Sequence, residues 1–225
     1  MSLLSLLSFD RPDDPPVGAT LKEGWPYILG LTLLSAVLWR WRPLAGLAGL
    51  ACAGAVASFF RDPSRPLEAA PDTFYSPADG TIIGVDVVDD PWFVGRPCHR
   101  ISIFLSVLNV HVNRSPMAAR IVDVRELGTG FAPAMNFVKS HGNRRREIGM
   151  QTQHGPILVV QVAGMLARRI VGWAGPGESV LAGQKLGMIT FGSRTDLYVP
   201  VGEAVPFVTP GQKVVGGQTP VARWL

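Results

Sequence analysis

Two uncharged runs rich in leucine and alanine open the chain, residues 24–39 and 44–60, and Arg40-Trp41-Arg42-Pro43 separates them. A proline and two arginines at the break predict two helices joined by a tight turn rather than one long helix. Each run falls a little short of the ~20 residues that span a bilayer comfortably. Two arrangements stay open: a hairpin that enters a membrane and returns, or a pair of helices in a soluble core. The hairpin is the favoured one, because Trp25, Trp39 and Trp41 stand at the ends of the runs, where interfacial aromatics belong. Arg61 and Arg65, just after the second run, are expected to hold its exit at anionic headgroups. The segment before the runs lacks the basic start and small-residue cleavage site of a secretory leader and is expected to remain on the chain.

Beyond Pro66 the period changes from helical to alternating. Residues 81–88, 99–108, 119–127, 156–162 and 185–191 are short, β-branched and bounded by Gly, Pro or Asp, and predict strands. A Gly-x-x-Val-x-x-Gly-Gln unit occurs twice, at 177–184 and 211–218. Its spacing resembles the hairpins of lipoyl- and biotinyl-type barrel sandwiches, in which glycines occupy turn positions with positive φ. A carrier role is poorly supported, since Lys185 and Lys213 do not fall at the hairpin tips that carry the prosthetic group in such domains. The expected fold is therefore mainly β, a barrel sandwich with some helix, preceded by an apolar helical hairpin. The expected parts are a polar segment 1–23, a membrane-associating hairpin 24–60 and a catalytic β domain 61–225.

Composition narrows the class. A chain of 225 residues with 47% hydrophobic and 17% charged positions is too apolar for intrinsic disorder, and 25 glycines with 19 prolines suit many short strands better than a helical bundle. Two cysteines, Cys52 and Cys98, make no disulfide framework. The net charge of +4 rests on clustered arginines, which favours an anionic surface such as lipid headgroups. Arg144-Arg145-Arg146 follows Ser140-His141-Gly142-Asn143 in what reads as a solvated loop, where Arg144 could meet a lipid phosphate. No aromatic platform accompanies the triplet, which argues against nucleic acid.

Catalytic material is scarce. The histidines at 99, 111, 141 and 154 form no metal-binding pair, so no metal is expected, and His141 and His154 read as surface residues. No Gly-rich phosphate loop and no Gly-x-Ser-x-Gly is present. What remains is a set of polar residues in apolar surroundings: Asp79 in Ser-Pro-Ala-Asp-Gly, His111 in Asn-Val-His-Val-Asn-Arg-Ser-Pro, and Ser193 in Phe-Gly-Ser-Arg-Thr-Asp.

Together with Phe59-Phe60-Arg61-Asp62-Pro63 and Gly192-Ser193-Arg194-Thr195-Asp196-Leu197-Tyr198, these segments have the order and spacing of the short form of phosphatidylserine decarboxylase, which the chain resembles from about Phe59 to about Val208. The resemblance implies an enzyme that turns phosphatidylserine into phosphatidylethanolamine and carbon dioxide through a Schiff base on a pyruvoyl group made from its own Ser193. Serinolysis at Gly192-Ser193 would yield a β chain, 1–192, and an α chain, 193–225. A glycine at 192 suits that step, because a residue without Cβ lets the backbone take the strained turn that exposes its carbonyl. By the same resemblance Asp79 matches an acid that pairs with a histidine in His-x-x-His-x-Pro of the long-form members. His111 matches the first histidine of that motif, and Arg114 stands where the second would be. Either His111 serves both processing and proton donation, or Asp79 works with another group. Arg114 and Arg144 are the candidates for binding the lipid headgroup. The implied place is the cell membrane, peripheral or monotopic, with the catalytic domain on the cytoplasmic side and a homo-oligomer left open. The rival is a non-catalytic, membrane-anchored barrel-sandwich module that binds a partner.

Overall fold

The computed structural model describes residues 18–90, 92–165, 169–190 and 192–225. Most of the expected segment 1–23 and Phe191, the end of an expected strand, lie outside them. The described residues fall into two compact units, 18–64 and 65–225.

The first unit is a pair of helices, α1 (Ala19–Trp41) and α2 (Pro43–Phe59). Only Arg42 separates them, and Pro43 starts α2, where its missing N–H costs nothing and its fixed φ suits the first turn. Small residues let the helices approach closely. A Cβ added to Gly46 would lie 2.8 Å from the Trp39 backbone, and one added to Gly49 would lie 2.2 Å from Ser35 Oγ. Ser35 turns its hydroxyl back onto Leu31 O at 2.6 Å, and Thr20 Oγ1 donates to Phe60 O at 2.7 Å, so the buried hydroxyls of the pair are satisfied. Trp25, Tyr27, Leu33, Leu34, Val37, Trp39, Trp41, Leu44 and Leu47 remain exposed. Among the described residues no helix is long and apolar enough to cross a membrane.

The second unit is β. Its strands are β1 (Thr73–Tyr75), β2 (Gly80–Asp90), β3 (Arg96–Leu105), β4 (Val112–Arg114), β5 (Ala119–Leu127), β6 (Arg145–Gln151), β7 (Pro156–Val162), β8 (Ile170–Gly172), β9 (Ser179–Val180), β10 (Lys185–Ile189), β11 (Ser193–Pro200), β12 (Ala204–Pro206), β13 (Lys213–Val214) and β14 (Pro220–Trp224). Eight form one curled antiparallel sheet in the order β13-β2-β3-β11-β7-β6-β5-β9. Two three-stranded sheets, β1-β14-β12 and β4-β10-β8, complete the unit. The alternation expected at 81–88, 119–127 and 156–162 appears as β2, β5 and β7, and the 99–108 segment lies three residues earlier as β3 because Ser106–Asn109 closes a turn.

One face of the large sheet carries the main core, with Ile101, Ile103, Ile148, Val159 and Leu197 all fully buried. The other is covered by a smaller cluster in which Trp92, Phe93 and Tyr198 pack on Cys98, Leu158, Val160 and Val162. Cover on both faces explains why β7 reads as a nearly unbroken apolar run. Burial, helped by Asp90, pushes the Cys98 thiol up to about 11.

The repeated glycine unit is turn chemistry, as its spacing suggests: Gly177 and Gly211 have φ of 91° and 92°, and Gly183 and Gly217 have 77° and 71°. The arginine triplet is a correction. It is not a solvated loop, since Arg145 and Arg146 begin β6, Arg145 pairs with Glu147 on one face and Arg146 is buried on the other. Strand alternation sends neighbouring charges to opposite sides, so a run dense in charge can still enter a sheet.

Replacing Gly211 by alanine tests strain alone, because nothing lies within 4 Å of an added Cβ, whereas one at Gly217 would meet Arg114 Cδ at 2.8 Å. Gly211→Ala is expected to lower stability by about 1–2 kcal/mol from the left-handed backbone, and Gly217→Ala by more. Urea unfolding midpoints of the two variants check the order.

Candidate active site

Ser193 is the first residue of β11, a central strand whose neighbours are β3 and β7. It faces Leu105 across the β3 ladder, and Arg194, the next residue, pairs with both Phe104 and Val162. Alternation places Ser193, Thr195, Leu197 and Val199 towards the main core and Arg194, Asp196 and Tyr198 on the other face. Ser193 is fully buried, and its Oγ has no hydrogen-bond partner among the described residues. Leaving a buried hydroxyl unpaired costs about 1–3 kcal/mol, so such a group calls for an explanation, as does Ser102 Oγ on the neighbouring β3. Gly192 precedes it with φ of 65°, and its carbonyl oxygen lies so close to Gly164 that a Cβ there would come within 1.7 Å of it. Position 164 therefore admits only glycine while that carbonyl keeps its place.

His111, 1% exposed, immediately precedes β4. Its Nδ1 lies 2.9 Å from Asn109 O, and its own carbonyl accepts from Ile189 N at 3.2 Å. A carbonyl only accepts, so Nδ1 carries a proton in that bond, and in the neutral form of the ring the lone pair falls on Nε2. Asn109 is itself fixed, because its Oδ1 receives Ser106 N at 2.9 Å and Ser106 Oγ at 2.7 Å. The Asp79 carboxylate is held elsewhere. It forms a two-pronged pair with the Arg65 guanidinium, Nη2 to Oδ2 at 2.7 Å, and Oδ1 also receives Gly216 N at 2.8 Å. The structure thus gives Asp79 and His111 different hydrogen-bond partners. Arg65, expected at a lipid headgroup, is corrected by the same pair: its side chain is 7% exposed and faces Asp79 instead of solvent.

The two arginines read as headgroup candidates lie in different parts of the β unit. Arg114 ends β4, is buried, donates to Gly183 O at 3.1 Å and packs against Gly217, between the turns of the repeated unit. Arg144 lies just before β6, half-buried, and pairs with Glu126 at 3.0 Å.

A chain of buried polar groups that the sequence reading did not single out crosses the core beside Ser193. Asn113 Nδ2 donates to Thr195 Oγ1 at 2.8 Å, and Gln161 Nε2 donates to Asn113 Oδ1 at 2.7 Å. Arg146 Nη1 donates to Gln161 Oε1 at 3.3 Å, and Arg146 Nη2 reaches Ala174 O. Asn113, Gln161 and Thr195 are wholly buried. Arg146 fits because Gly172 lacks a side chain, as a Cβ there would lie 2.6 Å from Arg146 Cζ, and burial lowers its affinity for its proton. The available signal was a polar residue at a core-facing position of an apolar strand, Gln161 in Ile-Leu-Val-Val-Gln-Val.

On the opposite face of β11, Arg194 Nε donates to Asp196 at 2.9 Å and Arg194 Nη1 to Ala134 O at 2.7 Å and Ser140 Oγ at 2.9 Å. The Phe137 ring lies between Arg194 and Arg100, at 4.6 and 4.7 Å. These groups line a cavity of about 350 Å³. Burial and then Asp196 hold the Tyr198 hydroxyl well above its ordinary pKa, so it stays protonated.

Residues 53–222 match the family model described as phosphatidylserine decarboxylase. The chain is also 42% identical over 205 residues to a phosphatidylserine decarboxylase proenzyme of Symbiobacterium thermophilum, an alignment covering 90% of this chain and 94% of the relative.

The Arg65–Asp79 pair carries its own prediction. Asp79→Ala leaves a guanidinium with little exposure uncompensated and is expected to cost about 3–5 kcal/mol. The double variant Arg65→Met/Asp79→Ala should lose less than the sum of the single changes, and a double-mutant cycle in urea measures the difference.

Proposed function

Because the chain belongs to the phosphatidylserine decarboxylase family, we propose that it cuts itself between Gly192 and Ser193 and decarboxylates phosphatidylserine to phosphatidylethanolamine with the pyruvoyl group so formed. The observation that carries this reading is the buried Ser193 Oγ, unpartnered among the described residues, behind a glycine of positive φ. That hydroxyl sits on the residue which would become the group, so the residues present fit it.

In the proposed cut, His111 Nε2 takes the Ser193 hydroxyl proton while Oγ adds to the Gly192 carbonyl carbon. The C–N bond then breaks, the Ser193 nitrogen receives the proton, and an ester joins Gly192 to Oγ. Removal of the Ser193 Cα proton expels the Gly192 carboxylate, so residues 1–192 leave as one chain. The dehydroalanine left at 193 takes up water, loses ammonia and becomes the pyruvoyl group. Asn109 O, by holding Nδ1–H, keeps His111 in the tautomer that this sequence needs. Asp79 acts on processing through Arg65 and the Gly216 turn rather than through the imidazole.

The pyruvoyl carbonyl supplies the electron sink for the electrons left when carbon dioxide departs. The chain supplies placement. β11 is paired on both sides, and Arg194 ties it to Ala134 and Ser140, so residue 193 keeps its position after the cut. His111, protonated, returns a proton to the carbon that lost carbon dioxide. Arg144, half-buried at the start of β6, is the better placed of the two arginines to meet the lipid phosphate, while Arg114 holds the glycine turns.

The α1–α2 pair is proposed to lie in the bilayer interface on the cytoplasmic side, its exposed tryptophans and leucines among the acyl chains. Extracting a two-chain lipid into water costs roughly 0.8 kcal/mol per CH₂, and an enzyme seated at the interface lifts only the headgroup.

Intact mass under denaturing conditions tests the cut. The expected result is two chains, 1–192 and 193–225, with a carbonyl on the shorter one that reacts with a hydrazide. Ser193→Ala should stay whole and inactive, and Asp79→Ala and His111→Ala should process slowly. An uncut wild-type chain would overturn the reading and favour a non-catalytic module. For the membrane, deletion of residues 1–58 should abolish co-sedimentation with vesicles yet leave activity on short-chain soluble phosphatidylserine. Undiminished co-sedimentation would remove the anchor role from α1 and α2.

A further inference from the structure

The strand that presents His111 and the strand that begins with Ser193 belong to different sheets. β4 pairs with β10 in a three-stranded sheet, and β11 lies in the middle of the eight-stranded one. No ladder of backbone hydrogen bonds joins β4 to β11 among the described residues, so their relative position depends on side chains. The Asn113–Thr195 bond supplies such a connection, two residues beyond His111 on one strand and two beyond Ser193 on the other. In a strand, residues i and i+2 share a face, so Thr195 lies on the face of Ser193, while Asn113 lies two residues along the chain from His111, which leads directly into β4.

We propose that Asn113 is a positioning residue for self-cleavage: its amide, locked by Gln161 and Arg146, sets the register of the histidine strand against the serine strand. The proposal rests on the self-cleavage reading above. Arg146 makes the lock directional. A guanidinium only donates, so Gln161 must accept from it through Oε1 and donate through Nε2. Asn113 must then accept at Oδ1 and donate at Nδ2, and Thr195 Oγ1 must accept. One buried cation thus fixes the orientation of both amides, and neither can flip without losing two bonds. Apolar packing alone would leave β4 free to shift against β11. Nucleophile and base are sensitive to such a shift, since a misplacement of about 1 Å can lower a rate by about 100-fold.

The test follows cleavage of newly made full-length chains in a pulse-chase, with the urea midpoint of each Ser193→Ala counterpart as the measure of folding. Asn113→Leu is expected to cut about 100-fold more slowly than wild type and Thr195→Val about 10-fold. Thr195→Ser, which keeps the accepting oxygen, is expected to cut at nearly the wild-type rate. A core variant outside the chain of amides, Val221→Ala, supplies a stability loss with no change at the site, and it should cut normally. The proposal falls if Asn113→Leu and Thr195→Val cut as fast as Val221→Ala, or if Thr195→Ser is as slow as Thr195→Val. If Asn113→Leu fails to fold, the contrast between Thr195→Val and Thr195→Ser decides alone. An uncut wild-type chain would instead remove the self-cleavage reading, and this proposal with it.

Discussion

The burial of β11 on both faces and both edges is the constraint to which the rest of the β unit answers. A strand so enclosed must satisfy its backbone groups within the sheet, which β3 does from Ser193 to Pro200 and β7 from Arg194 to Tyr198. Its side chains must each find a complementary neighbour. On one face Leu197 and Val199 meet the main core, and on the other Arg194 and Asp196 neutralise each other beneath Phe137. The residue left without such a neighbour among the described residues is Ser193, at the end where the strand emerges from a glycine of left-handed conformation. An unpaired polar atom in a fully buried position of a sheet is a cost that the surrounding packing has to sustain.

The polar groups that cross the core are of two kinds. Arg65 and Asp79 form a charged pair at the edge of the repeated turns, where Gly216 adds a third bond. Asn113, Gln161 and Arg146 form a neutral-to-cationic series that leads from one side of the unit towards Ser193. Satisfied completely, such a series specifies one arrangement of strands, since any other leaves amides unpaired in a dry interior. The glycines at 164 and 172 belong to the same economy of space, one making room for a carbonyl and the other for a guanidinium.

Much of this was legible from periodicity. The strands at 81–88, 119–127 and 156–162 alternate or run apolar in ways that leave little choice, and the glycine unit announced its turns because positive φ so strongly favours that residue. Ser193, Asp79 and His111 stood out as polar residues in apolar segments. What stayed hidden is what depends on pairs distant in sequence. β6 was concealed by its arginines, whose alternation matters only once β5 and β7 flank them. Arg65 reads as a surface charge until the fold brings it to Asp79. One partner of His111 is a backbone carbonyl, and a carbonyl carries no residue-type signal at all.

The chain order around β11 has a consequence for how the molecule comes apart. Residues 193–225 contain β11, β12, β13 and β14: a central strand and an edge strand of the large sheet, and two of the three strands of a small one. A cut before β11 would leave the sheets intact and turn a single polymer into a woven pair. Its refolding would then become an encounter between two molecules, dependent on concentration, while a loop closure that was intramolecular in the precursor would be gone. The uncut chain can return from denaturant alone, whereas the cut one must find its lost half. Its durability would be set by the rate at which it opens and not by an equilibrium it can re-enter.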